Sequence, residues 1–448
     1  MKHTDNYRIE DYILQTKWED FPPEVQQRAV VCAIDLFTAL LLGSQGKQHQ
    51  AGVKICKEYL SGGVIGVVGS KDTYNLLGAT IAMGHASNSF DIDDGYNLLR
   101  GHPGTSFIAG VMAAGLQQGI SYREYLTALV VCYDVAVRMG LALQDHYGFL
   151  HSTGTYGAVA TAAGAGRIFG MTREQLNTAI SMAEFHAPMV PVMRSVEIPS
   201  MNKDGVPFGA MVGALAVLDT LAGETAKTHL LELPEYSALT DSLGKTHEIM
   251  NLYFKPYTCC RWAHQPIQAS IELMRAKNFT WEQVGSVTVH TFSSAARLSK
   301  IVPKDTDEAQ YNIAWPVASA IVHGDVGFRQ VCNEALDDDR VKSVMERLSF
   351  VVDPALDAQF PEKRLAWVEF RLKDGTAYQS PVYAANGEAT DNVDLPWITE
   401  KFCRITAPFL SAEGQQYLLS LLTEDLDKPL SDAVAGVNRA LKEFPSNA

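Results

Sequence analysis

Residues 30–42, Val-Val-Cys-Ala-Ile-Asp-Leu-Phe-Thr-Ala-Leu-Leu-Leu, are apolar on nearly every side of a helical wheel. Such a run belongs in the middle of a helical domain. Pro22-Pro23 ahead of it and Gly43 after it predict a helix over 24–42. Leu76 to Ser89 and Pro103 to Gln118 predict two more, and Ser121-Tyr-Arg-Glu124 is a capping-box pattern that starts a helix running to about Leu143. Gly154 to Gly170 and Gly205 to Ala222 are rich in small residues, which cost helix propensity and need tight helix packing to offset it. Thr172-Arg-Glu-Gln175 is a second capping signal. After Pro266 the period changes. Ser286 to Thr291 and Trp367 to Leu372 alternate apolar and polar positions, and Asp374-Gly375 between Leu372 and Thr376 predicts a hairpin. Leu348 to Val352 is a further strand candidate, with helices near 266–276 and 311–323, and helical patterning resumes after Pro396 to end at Leu430 to Phe444. The expected architecture is mainly α: a large all-helical domain made of two chain segments, 1–265 and 391–448, and a smaller α+β domain, 266–390.

With 448 residues the chain is long enough for two such units, and its 47% hydrophobic and 20% charged residues are those of a folded globular protein. A formal net charge of -14 argues against nucleic-acid partners and against adhesion to anionic membranes, which call for a basic face. The N-terminal residues lack the apolar core of a signal peptide, so a cytoplasmic location is expected. Seven scattered cysteines without Cys-x-x-Cys spacing predict neither a disulfide framework nor a bound metal.

Candidate chemistry concentrates in four stretches near predicted helix ends. His85 to Gly104 packs Asp91, Asp93 and Asp94 into four residues, followed by His102-Pro103-Gly104. Three neighbouring carboxylates need water or compensating cations. Pro103 is placed to open a helix whose first amides, from Gly104 onward, form an anion site. The second stretch, Gly148 to Gly157, carries His151 just before a helix, and the third is Pro199 to Gly205 with Lys203. The fourth, Phe254 to Pro266, combines Lys255, Tyr257, Arg261 and His264 with apolar Trp262. Each has a plain structural reading: a solvated acidic loop, a helix-capping histidine, a surface lysine, a buried hinge. Together they set cations against a carboxylate-rich base cluster, which suits a small polycarboxylic acid substrate whose proton next to a carboxylate is moved. The sequence has no P-loop, dinucleotide fingerprint or His-Glu-x-x-His, so acid–base chemistry without a cofactor is the simplest account.

At these residues the sequence resembles the MmgE/PrpD family of 2-methylcitrate dehydratases, cis-aconitate decarboxylases and iminodisuccinate epimerases. The resemblance is carried by His85-Ala-Ser-Asn-Ser-Phe-Asp-Ile-Asp-Asp94 with His102-Pro103-Gly104, by Lys203-Asp-Gly205, and by Lys255-Pro-Tyr-Thr-Cys-Cys-Arg261 with His264. It implies a helical domain with an α+β lid, a homodimer, and a site between domain and lid. It also implies that Asp91, His102, His151 and Lys203 surround the substrate, with Lys255, His264 and the lid residue Tyr311 beside them. The expected catalytic residues are therefore Asp91, His102, His151 and Lys203, and the expected substrate-binding residues Lys255, Arg261, His264, Tyr311 and Gly104, with no metal. The expected reaction is a lyase step on a citrate- or aconitate-like acid. The alternatives are an isomerase or epimerase of a small dicarboxylate and a non-catalytic carboxylate-binding protein. Two positions depart from the family pattern: relatives commonly carry Thr after the Asp-Asp pair where this chain has Gly95, and the lid motif, usually Pro then an aromatic, is inverted as Trp315-Pro316.

Overall fold

A computed structural model describes residues 8–199 and 203–446, with Lys203 described by its backbone alone. The described chain is mainly α, 60% helix against 9% strand. Helices α1 (Arg8–Gln15), α2 (Pro23–Gly43) and α3 (Lys47–Tyr59) lead to a two-residue antiparallel ribbon, β1 (Ile65–Gly66) with β2 (Thr73–Tyr74). Then come α4 (Leu76–Ser87), α5 (Pro103–Gln118), α6 (Tyr122–Tyr147), α7 (Thr153–Ile168), α8 (Arg173–His186), the short α9 (Met193–Glu197) and α10 (Val206–Leu221). Helices α2 and α6 are long and apolar enough to cross a membrane, but 78% and 94% of those windows are buried inside the bundle, where they form its core.

Small residues let the central helices touch. A Cβ at Gly209 on α10 would lie 2.1 Å from the Gly154 carbonyl on α7, and one at Gly154 would lie 2.2 Å from the Gly205 carbonyl. These two glycines seat the Asp204-Gly205 turn directly against the start of α7. Helix α6 runs four residues beyond the expected Leu143, because Gly148, at φ 71°, supplies its left-handed stop. Its N-terminus carries half a capping box: Ser121 Oγ accepts the Glu124 amide at 3.2 Å, whereas the Glu124 carboxylate pairs with Arg167 at 2.8 Å. At Thr172 and Gln175 both halves form.

A second hydrophobic core, formed mostly by residues from Tyr257 onward with Ala39, Leu42, Phe90, Ile92 and Val196, gathers around a four-stranded sheet. Strand β3 (Val284–Thr291) pairs in parallel with β4 (Leu348–Val352), Val287 opposite Leu348, and antiparallel with β5 (Ala366–Leu372), Val289 opposite Val368. The parallel pair requires a crossover, which contains the helix Ala314–His323. Asp374-Gly375 makes the hairpin to β6 (Ala377–Gln379), with Gly375 at φ 90°. The inverted Trp315-Pro316 serves this core: Trp315 is fully buried and donates Nε1–H to the Gln330 carbonyl at 2.8 Å. The helix Leu395–Thr406 returns to the bundle, where Lys401 forms an ion pair with Asp35 inside α2.

Candidate active site

The loop between α4 and α5 delivers the acidic cluster to the interior: Asp91, Asp93 and Asp94 are all buried. Two lysines anchor it. Lys255 Nζ lies 2.9 Å from Asp91 Oδ1 and 2.9 Å from the Asp91 carbonyl, and Lys401 Nζ donates to the Ile92 carbonyl at 2.7 Å. Burial alone would lower the Lys255 pKa, but Asp91 and Asp93 outweigh it and hold the ammonium firmly charged.

His102 stands at the centre of the cluster. Its Nδ1 is 2.9 Å from the Asp94 carbonyl, which can only accept, so Nδ1 carries the proton in the neutral ring and Nε2 carries the lone pair. Asp93 Oδ2 stands 3.4 Å from the same Nδ1. Nε2 faces Asp91 Oδ1 at 3.4 Å and Asp204 Oδ2 at 3.7 Å. Tyr311 donates its hydroxyl to Asp204 Oδ2 at 2.9 Å, and burial raises the Tyr311 pKa well above the ordinary phenol value, so it remains a donor. Asp91 and Asp204 have φ of 50° and 60°, the left-handed region that non-glycine residues rarely occupy. Strain of this kind persists where the surroundings over-determine it, and it clusters at functional sites.

Asp94 plays a different part. It accepts the Gly104 amide on Oδ1 at 3.0 Å and the Tyr133 hydroxyl on Oδ2. The Gly104 amide, expected to receive a substrate carboxylate, donates here to the Asp94 carboxyl. A Cβ at residue 104 would lie 2.2 Å from Asp94 Oδ2, so only glycine admits this cap. Burial, then the charge of Asp35, pushes the Asp94 pKa up to about 7. An acid raised in this way favours the folded state fully below its unfolded pKa near 3.8, and that contribution is lost as pH rises toward 7. Asp94→Asn is accordingly expected to flatten the fall of stability between pH 4 and 7, read as urea midpoints of variant and wild type; parallel curves would reject it.

Lys255 and Arg261, expected to hold substrate, are committed within the protein. Lys255 is wholly buried against Asp91, and Arg261 pairs with Glu388 at 2.8 Å and donates to the carbonyls of Asn386 (2.9 Å) and Ala385 (3.2 Å). His264 lies in the core: its Nε2 is 3.0 Å from the Cys259 carbonyl, and burial, then the charge of Arg261, drives its pKa well below the ordinary value. His151 stands buried just ahead of α7, its Nδ1 without a hydrogen-bond partner among the described residues. Its Nε2 is 3.4 Å from the Leu143 carbonyl, its ring meets Phe149 edge-on at 4.0 Å, and burial lowers its pKa. Two residues on, Thr153 reaches the cluster, its Oγ1 accepting the His102 amide at 3.2 Å. The Lys203 side chain lies outside what is described; its backbone opens the turn Lys203–Gly205.

Gly95 has a spatial explanation. It exchanges two backbone hydrogen bonds with Tyr253, at 3.0 and 2.9 Å, and a Cβ there would sit 2.1 Å from Tyr253 Cζ. The Tyr253 ring fills the space a threonine would need.

Asp91, His102 and Asp204 could also offer one ligand atom each to a metal, all within 4.8 Å of one another, as could Glu10, His229 and Glu232 elsewhere in the bundle. In the first trio, Lys255 already neutralises Asp91 and Tyr311 already donates to Asp204, an arrangement suited to moving protons.

Residues 7–247 match the MmgE/PrpD N-terminal domain and residues 257–424 the MmgE/PrpD C-terminal domain. The chain belongs to the MmgE/PrpD family. It is 24% identical over 477 residues to the cis-aconitate decarboxylase-like protein oryM of Aspergillus oryzae, with 96% of each chain covered. It is 22% identical over 284 residues to a cis-aconitate decarboxylase of Aspergillus terreus, with 57% of each covered. As an MmgE/PrpD protein it is an enzyme of the dehydratase and decarboxylase kind at family level.

Of the cluster's working parts, sequence reading missed Asp204, Tyr133, Asp35 and Lys401. Asp204 had a signal, since it stands inside the Lys203-Asp-Gly205 motif. Lys401 had none, because Asp35, its partner, is 366 residues away.

Proposed function

We propose that the protein is a cofactor-independent lyase acting on a small di- or tricarboxylic acid of the citrate or aconitate type. The observation that carries this reading is the imidazole of His102, with Nδ1–H fixed on the Asp94 carbonyl and Nε2 set between Asp91 and Asp204. A base in this position takes a proton from the carbon beside a carboxylate, and the imidazolium that results is stabilised by two flanking carboxylates. Lys255 lowers the charge that Asp91 presents, so an anionic substrate meets less repulsion. The Tyr311 hydroxyl, bound to Asp204 in the free enzyme, is a donor placed to protonate a leaving oxygen or a carbanion. The homodimer belongs to the same proposal by family resemblance, and a cytoplasmic location is proposed with it.

Proton NMR of a polycarboxylate panel in heavy water tests the reading. The expected result is loss of water or carbon dioxide from one acid of the panel. Solvent deuterium entering an otherwise unchanged or inverted acid identifies an isomerase instead, and binding without any exchange identifies a carboxylate-binding protein.

A further inference from the structure

Lys255 and Arg261 are committed inside the protein, and a further buried cation lies against the same acidic loop. Arg364, from the α+β part, is only 3% exposed. Its two terminal nitrogens donate to Asn97, one to the side-chain oxygen and one to the main-chain carbonyl at 3.3 Å. Asn97 lies in the acidic loop between Asp94 and His102, so this guanidinium is tied to the same loop as the proton-transfer groups. The Tyr253 ring stands beside it, its centroid 5.6 Å from the Arg364 guanidinium carbon and 4.9 Å from that of Arg261. Arg100 approaches from the same loop, stacked over Phe360 at 4.9 Å.

The charges around this point do not balance. Glu388 is ion-paired with Arg261 at 2.8 Å, while neither Arg364 nor Arg100 forms an ion pair among the described residues. Among the described residues the Nε–H groups of Arg100, Arg261 and Arg364 are all buried without an acceptor. Glu388 is thus shared by Arg261 and Arg364, and a buried guanidinium without a carboxylate of its own, with a buried donor left over, is a costly state that an added carboxylate would relieve.

We propose that Arg364, with Tyr253 beside it, forms a subsite for a substrate carboxylate remote from the carbon where the proton moves, and so sets the preference for acids that carry an additional carboxylate. The proposal rests on the acid–base reading above and adds the group that selects the substrate. Asn97 takes one hydrogen from each terminal nitrogen, which leaves the Arg364 Nε–H and a remaining terminal N–H as an edge that matches a carboxylate with two parallel hydrogen bonds, a geometry lysine cannot supply. The Tyr253 ring beside Arg364 adds a cation–π contact, and burial keeps its phenol protonated and neutral.

Titration calorimetry of the full chain with citrate and with malate tests this, using wild type, Arg364→Met, Arg364→Lys and His102→Ala. Arg364→Met is expected to lose about 10- to 100-fold in citrate affinity, the scale of hydrogen bonds to a charged group, while malate affinity changes less than about twofold. Arg364→Lys, which keeps the buried charge and so guards against misfolding, is expected to fall between, and His102→Ala to keep citrate affinity. Unchanged citrate affinity in both Arg364 variants, or equal losses for citrate and malate, overturns the subsite while leaving the lyase reading intact. A wild type that neither binds nor transforms any polycarboxylate overturns both.

Discussion

Replacing His102 with alanine is expected to lower turnover by about 10²- to 10⁴-fold, the range a positioned general acid or base supplies. The effect should fall on kcat more than on KM, because the imidazole gains most of its interaction when it carries the transferred proton in the transition state. The geometry is specific about which nitrogen works. Nδ1 is held by the Asp94 carbonyl at 2.9 Å, leaving Nε2 as the only ring nitrogen that faces Asp91 and Asp204. His102 also starts α5, so initial rates should be compared on protein whose circular dichroism and melting match wild type. Near-normal turnover in a well-folded His102→Ala would remove His102 from the chemistry.

The second large effect is on stability. Lys255→Met is expected to destabilise the protein by about 3–5 kcal/mol, because it breaks a wholly buried ion pair by removing the ammonium that faces Asp91. Lys255 is wholly buried and its ammonium holds both Asp91 Oδ1 and the Asp91 carbonyl at 2.9 Å, so solvent cannot take its place. Adding Asp91→Asn to Lys255→Met should recover part of the loss, since the buried charge that Lys255 faced is then gone. Urea denaturation of wild type, both single variants and the double variant supplies the complete cycle. A Lys255→Met midpoint equal to that of wild type, or a double variant weaker than the sum of the singles, would show that the pair is not what holds the loop.

These effects differ in how visible their causes are along the chain. Pro103 and Gly104 after His102 predict the start of α5, and the structure begins that helix at Pro103. The sequence pattern could not show that the helix terminus is already filled, because Asp94 reaches Gly104 from ten residues upstream through a loop whose path depends on Lys255 and Lys401. Gly95 is similar. In sequence it is a departure from the family pattern, and in space it is the position over which the Tyr253 ring is packed.

What the sequence by itself determined is what local physics encodes: the helix starts at prolines and capping residues, the small-residue faces of α7 and α10, the Asp-Gly hairpin, and the presence of Asp91, His102 and Lys255 in motifs of one family. Tertiary structure alone decided which charges meet. Ion pairs and hydrogen bonds form between side chains 164 residues apart in Lys255 and Asp91, 107 in Tyr311 and Asp204, and 267 in Arg364 and Asn97. Residue type fixes the sign of each charge, but whether a lysine greets a substrate or neutralises an aspartate depends on a distance of a few ångströms. That distance is set by how the helices pack, and no local pattern records it.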